Sequence, residues 1–124
     1  MRNVIRVCIY AVLLLGTTVA LAGDGHARLD REILHLTRFV AESGCNFIRN
    51  NKTHTPAQAV EHIDKKYTYF KADIDSAEKF IELSATQSTL TGRKYTIKCP
   101  GQDAVESREW LLEELRAFRS RVSK

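Results

Sequence analysis

Five polar residues carry most of the chemistry this sequence offers: Arg49, Asn50, His62, Lys66 and Tyr95. A guanidinium and an ammonium bring positive charge with several donors, an amide and a phenol bring directed hydrogen bonds, and an imidazole can change charge near neutral pH. Such a set suits a carboxylate or a phosphate. His62 and Lys66 stand one helical turn apart and so share a face. Backbone N–H groups of a Thr91-Gly92 turn would add donors to the same surface. Structural networks use these residue types too, with Arg49 capping helix carbonyls and His62 solvated or hydrogen-bonded.

Catalysis asks for more. A small cell-envelope hydrolase would use His62 as general base and Ser88 as nucleophile, yet no Gly-x-Ser-x-Gly elbow surrounds Ser88. That reading requires a hydroxyl or a bound water within hydrogen-bond reach of the ring, and an acidic group to orient it. The pairs Glu78 with Glu82 and Glu113 with Glu114 read as solvated helix faces. His54 and His62 lack a third ligand at metal spacing. No metal and no cofactor are therefore expected.

The N-terminus decides where this chemistry operates. Arg2 and Arg6 precede an apolar run from Val7 to Leu15, and small residues lead to Ala20-Leu21-Ala22. This is the pattern of a cleavable secretory signal over residues 1–22. The apolar stretch falls short of the roughly 20 residues that span a bilayer, so no membrane span is expected after cleavage. Of the 124 residues, 22 would leave and 102 would remain as a single domain, residues 23–124. Losing Arg2 and Arg6 takes the 19 Lys and Arg to 17 against 15 Asp and Glu, and the formal charge from +4 to +2. So mild a balance gives no support to nucleic-acid binding.

Cys8 departs with the signal, leaving Cys45 and Cys99 in an oxidising compartment, where pairing is the default. Closing so long a loop is worth on the order of 4 kcal/mol in the chain-entropy model.

The elements that must position the five residues follow from periodicity and punctuation. Leu29, Ile33, Leu36 and Val40 form the apolar stripe of a first helix from His26 to Ser43, ended by Gly44. Cys45-Asn46-Phe47-Ile48-Arg49-Asn50 and Tyr95-Thr96-Ile97-Lys98-Cys99 alternate as strands. With Cys45 opposite Cys99, antiparallel pairing sets Phe47 against Ile97, Ile48 against Thr96 and Arg49 against Tyr95. Polar Asn50 to His54 reads as the loop that ends the first strand.

Thr55-Pro56-Ala57-Gln58 announces a helix with a capping box and proline at its first position, and Ala59, Val60, Ile63, Tyr67 and either Phe70 or Ile74 are its inner face. A second start at Asp73 or Asp75 places Ala77, Phe80, Ile81 and Ser84 together. Periodicity leaves open whether residues 55–84 form two helices or one kinked helix. A hydroxyl-rich loop from Ser84 to Arg93 follows. Asp103 is positioned to cap a last helix with Ala104, Leu111, Leu115, Phe118 and Val122 inside, and Arg116, Arg119, Arg121 and Lys124 crowding its favourable C-terminal end. The expected fold is α+β and mostly helical: about four helices around a two-stranded antiparallel ribbon, closed by one disulfide.

Five short motifs then occur in order: Phe47-Ile48-Arg49-Asn50; Ala59 with Glu61-His62; Lys65 or Lys66; Ala77-Glu78-Lys79-Phe80-Ile81; and Thr91 through Ile97. Their order and spacing resemble the YfeK-like family of small exported bacterial proteins, over most of Cys45 to Gly101. The first and last helices resemble it in character. Asn51 departs from the pattern, which has glycine after Arg-Asn. The family is one of unknown function, so the resemblance implies a periplasmic address and no reaction. The function expected is a non-enzymatic binding or accessory module. Its polar surface would recognise an acidic small molecule or an envelope protein, with the hydrolase as the alternative.

Overall fold

The computed structural model describes Gly16 and residues 22–124. The expected signal segment falls almost wholly outside the described residues. Among the described residues the helices are α1 (Ala22–Glu42), α2 (Pro56–Phe70), α3 (Ala77–Ala85) and α4 (Ser107–Val122). The strands among them are β1 (Asn46–Arg49), β2 (Lys52–His54), β3 (Thr96–Lys98) and β4 (Val105–Glu106). The sheet is antiparallel throughout and ordered β2-β1-β3-β4.

The expected ribbon is the centre of this sheet, with the register anticipated: Phe47 opposes Ile97 and Ile48 opposes Thr96. Its ladder stops there, one residue short of Arg49 and Tyr95. Cys45 and Cys99 close it with a 2.04 Å S–S bond. Ile97 is fully buried and Phe47 nearly so, on the face that the helices cover.

Two edge strands flank the ribbon, one where the sequence reads as loop and one where it reads as the start of the last helix. Asn50 and Asn51 both take positive φ, 49° and 64°, and turn the chain so that Arg49 opposes Lys52. A two-residue loop with both φ values positive is the hairpin turn whose twist matches its strands, and asparagine tolerates it better than most residues. The expected loop over Asn50 to His54 is thus a hairpin. At the other edge Val105-Glu106 pairs with β3, and the last helix begins at Ser107 rather than at an Asp103 cap. Ala104 is consequently exposed instead of lying in the inner stripe.

Thr55 caps α2 as its sequence demands. Its hydroxyl accepts from Gln58 N at 3.2 Å, and its own N–H donates to Gln58 Oε1 at 2.9 Å. Ala59 and Ile63 are buried, with Val60, Tyr67 and Phe70 half-buried around them. Residues 55–84 make two helices. A 3-10 turn at Lys71–Asp73 ends the first, and Ser76, not Asp73 or Asp75, caps the second by accepting from Lys79 N at 3.1 Å. Ile74 plugs the joint. Ala77, Phe80, Ile81 and Ser84 are all buried on one face of α3.

The core joins Ile33, Leu36 and Val40 of α1 to Phe80 and Ile81 of α3 and Leu111 and Leu115 of α4. Trp110 seals one side, stacked on Phe39 at 4.3 Å and edge-on to Phe47 at 5.8 Å. Val122, expected inside, is exposed, because α4 outruns the body it packs against.

Two of the four charges crowding the end of α4, Arg119 and Arg121, pair with carboxylates. Arg119 grips nearly buried Glu32 of α1 through Nε at 2.7 Å and Nη2 at 2.9 Å, and also pairs with Glu78 of α3. Glu114 pairs with Arg121 at 2.8 Å and with His35 at 2.7 Å, whose ring stacks on Phe118. Glu78 and Glu114 are therefore inter-element pins rather than free helix faces.

Candidate functional site

The hairpin, α2 and the loop after α3 converge at one end of the sheet. Arg49 is the last residue of β1 and Asn50 the first of the turn. His62 and Lys66 face inward from α2, and Tyr95 immediately precedes β3. All five line one open cleft of about 470 Å³, within the range of small-molecule sites. Lys52 and His54 of β2, with Ser88, Thr89 and Leu90 of the loop, complete it.

Each side chain is held for a local reason. Tyr95 is nearly buried and its hydroxyl lies 3.0 Å from His62 Nε2, the two rings meeting edge to face. Lys66 Nζ donates to Gln87 O at 2.7 Å and lies 5.3 Å from the centre of the Tyr95 ring. Asn50 Oδ1 accepts from Thr91 Oγ1 at 2.9 Å, which staples the hairpin to the opposite loop. That loop is itself folded. Ser88 N donates to Arg93 O, and Gly92 N donates to Ser88 O, both at 2.9 Å.

The last bond corrects one expectation. Thr91 N donates to Ser88 Oγ at 3.2 Å, so the N–H groups of the Thr91-Gly92 turn are spent inside the loop. Any anion in this cleft would be met by side chains.

Among the described residues no carboxylate lines the cleft and none pairs with Arg49. The electrostatic consequences run through the whole set. Burial, then the charges of Arg49 and Lys66, push His62 down to about 4, so its ring is neutral at pH 7. Burial and then Arg49 lower Lys66, and burial followed by Arg49 and Lys52 lowers His54. Burial raises Tyr95, with Arg49 opposing it. Every one of these groups feels Arg49.

The same geometry bears on the hydrolase alternative. His62 Nε2 faces a phenol, and the charges set around the ring are cations where a general base would have an orienting acid. Ser88 is buried, with its hydroxyl accepting a turn-closing bond. Among the described residues, no group of three or more His, Cys, Asp or Glu comes together as a metal site.

Lys52, and His54 in any role but a metal ligand, are what sequence reasoning missed in this cleft. The signal was present: Asn50-Asn51 between alternating residues is a hairpin pattern, and a return strand carries its side chains back beside β1. Phe47 and His54 are direct partners in it.

The profile of a family of unknown function, DUF5329, matches residues 27–119, taking in most of α1 and of α4 as well as everything between. The chain belongs to that family. Over 60 residues it is 33% identical to the uncharacterized protein YfeK of Salmonella typhimurium strain LT2, covering 48% of this chain and 50% of that protein. It thus spans about half the length of the curated relative it matches. No solved structure matches.

Proposed function

We propose that this protein is an exported, non-enzymatic binding module of the periplasm that takes an anionic small molecule in the cleft beneath Arg49. The observation that carries the reading is a half-buried guanidinium with no acidic partner among the described residues, beside Lys52 and Lys66. A carboxylate, phosphate or sulfate would supply the missing charge, and Arg49 can hold it through two parallel hydrogen bonds. Neutral His62 then becomes a reserve donor, since a bound anion favours its imidazolium. Export is supported by the charged, apolar and small-residue order of residues 1–22, and by a disulfide pair that needs an oxidising compartment.

Calorimetry with sulfate at constant ionic strength tests the binding. Arg49→Gln should weaken it at least tenfold while moving the melting temperature of the unliganded protein by only a few degrees. Sulfate that binds the variant as well as the wild type would refute the reading. Export is tested by the N-terminus of the protein recovered from a periplasmic fraction, which should be Gly23.

A further inference from the structure

The cleft has a neighbour along α2. A second groove, of about 370 Å³, is lined by His62, Lys65, Lys66, Tyr69, Phe70 and Thr89. His62, Lys66 and Thr89 line both spaces, so the two adjoin along one face of the helix. Steps of four, three and one residue set His62, Lys66, Tyr69 and Phe70 in a single stripe. At 1.5 Å of rise per residue, Tyr69 stands about 10 Å along the axis from His62.

Charge and apolar surface are sorted along that line. At the cleft end, Arg49, Lys52 and Lys66 pair with no carboxylate among the described residues. At the other end Lys65 is already matched, by Glu61 at 3.0 Å, and the open surface is aromatic. Tyr69 is 81% exposed, with the Phe70 ring edge-on to it at 4.7 Å. Leu90, which lines the cleft from the loop side, is 96% exposed. Its loop is held on both sides of it, by Ser88 and Arg93 within the loop and by Thr91 on Asn50 across the cleft. Apolar side chains scattered singly over a surface need no explanation. Here the two most exposed large ones among the described residues stand around the same pair of spaces, beside unpaired cations.

Resting on the anion-binding reading of the cleft, we infer that the ligand is a monomeric anionic amphiphile. Its acidic head meets Arg49 and Lys66, and its apolar tail passes Leu90 and Thr89 to lie on Tyr69 and Phe70. A tail that reaches Tyr69 spans about 10 Å, two turns of α2. A bare anion uses one end of this surface and leaves the apolar end in water, while an uncharged amphiphile leaves the guanidinium unpaired. The occupant is a single molecule rather than a bilayer, because Arg49 and Lys66 are half-buried within a cleft sized for one head group.

Calorimetry on the oxidised protein at constant ionic strength tests this with inorganic sulfate and with methyl, butyl, hexyl and octyl sulfate, each below its micelle concentration. Affinity should rise about two- to fourfold per methylene, and at least tenfold from methyl to hexyl sulfate. Octyl glucoside, which has no charge, should bind at least tenfold more weakly than octyl sulfate. Tyr69→Ser and Leu90→Ser change exposed side chains, so neither should move the melting temperature by more than about 4 °C or alter the affinity for inorganic sulfate. Each should cut the ratio of hexyl to methyl sulfate affinity at least threefold, and Tyr69→Phe should preserve it. Wild-type protein that binds sulfate and all the alkyl sulfates equally would overturn the inference and leave the anion site standing, as would a chain-length gain that either serine variant retains in full. Co-sedimentation with anionic phospholipid vesicles that octyl sulfate does not displace would overturn the monomeric ligand in favour of a membrane surface. Protein that binds neither sulfate nor any alkyl sulfate would overturn both readings.

Discussion

Replacing His62 with glutamine takes one titrating ring out of the cleft while keeping a polar group in front of the Tyr95 hydroxyl. In the folded protein the ring is held at about 4 by burial and by Arg49 and Lys66, against its ordinary 6.5. The unfolded chain takes up that proton near the ordinary value. Between the two midpoints the unfolded state binds more protons, so the associated stability is complete above about pH 6.5 and declines as the pH falls toward 4. The full separation corresponds to about 3 kcal/mol. The ring still touches solvent, however, and screening reduces the expected loss to about 1–2 kcal/mol. Urea melts of wild type and His62→Gln between about pH 7 and 4.5 measure it: on acidification the wild type should lose that much more than the variant. Carboxylates such as Glu32 and Glu78 lose their own contributions in both proteins and cancel in the difference. An NMR titration gives an independent check, with a ring midpoint near 4 that rises when sulfate is added. A midpoint at or above 6.5, or a variant that tracks the wild type at every pH, would refute the electrostatic account of the cleft.

Cys45→Ser opens a loop whose ends are 54 residues apart and should cost up to about 4 kcal/mol, or about 15–25 °C in melting temperature for a domain of this size. Reducing the wild type should erase the difference, and equal melting of mutant and oxidised wild type would contradict it. Arg119→Met strips nearly buried Glu32 of its two-pronged partner and leaves it with exposed Arg28 at 3.2 Å. Because Arg119 is itself about one-third exposed, the expected loss is about 2–3 kcal/mol, less than for a fully buried pair. Arg119 holds Glu32 and Glu78 below the usual carboxylate range, so their contribution is present at neutral pH and lost as the pH falls through their folded values. Denaturant melts at neutral and acidic pH should therefore show a smaller acid-induced loss in the variant.

The five candidate residues illustrate what could be read from the chain and what could not. Strand register was legible because the cysteines and the alternation of Phe47 and Ile97 admit a single pairing that buries both. The two edge strands were not, since segments of three and two residues have little preference of their own and exist only because β1 and β3 offer them free ladder groups. Missing β2 also meant missing that Lys52 and His54 stand beside β1. The role of Ser88, weighed in the sequence only as the nucleophile of the alternative reading, is set by Thr91 N, a backbone group whose position depends on how the loop folds.

Wherever the controlling contacts lie within one turn, the chain alone decided the outcome: the capping box at Thr55, the apolar stripes of the helices and the turn into β1 at Gly44. Wherever the partners are far apart in sequence, the tertiary structure decided. Glu32 meets Arg119 across 87 residues, and His62 meets Tyr95 across 33. A charge becomes a pin, or a neutral ring among cations, only after packing removes water and chooses its neighbours. That selection is a property of the assembled body, and local sequence carries no record of it.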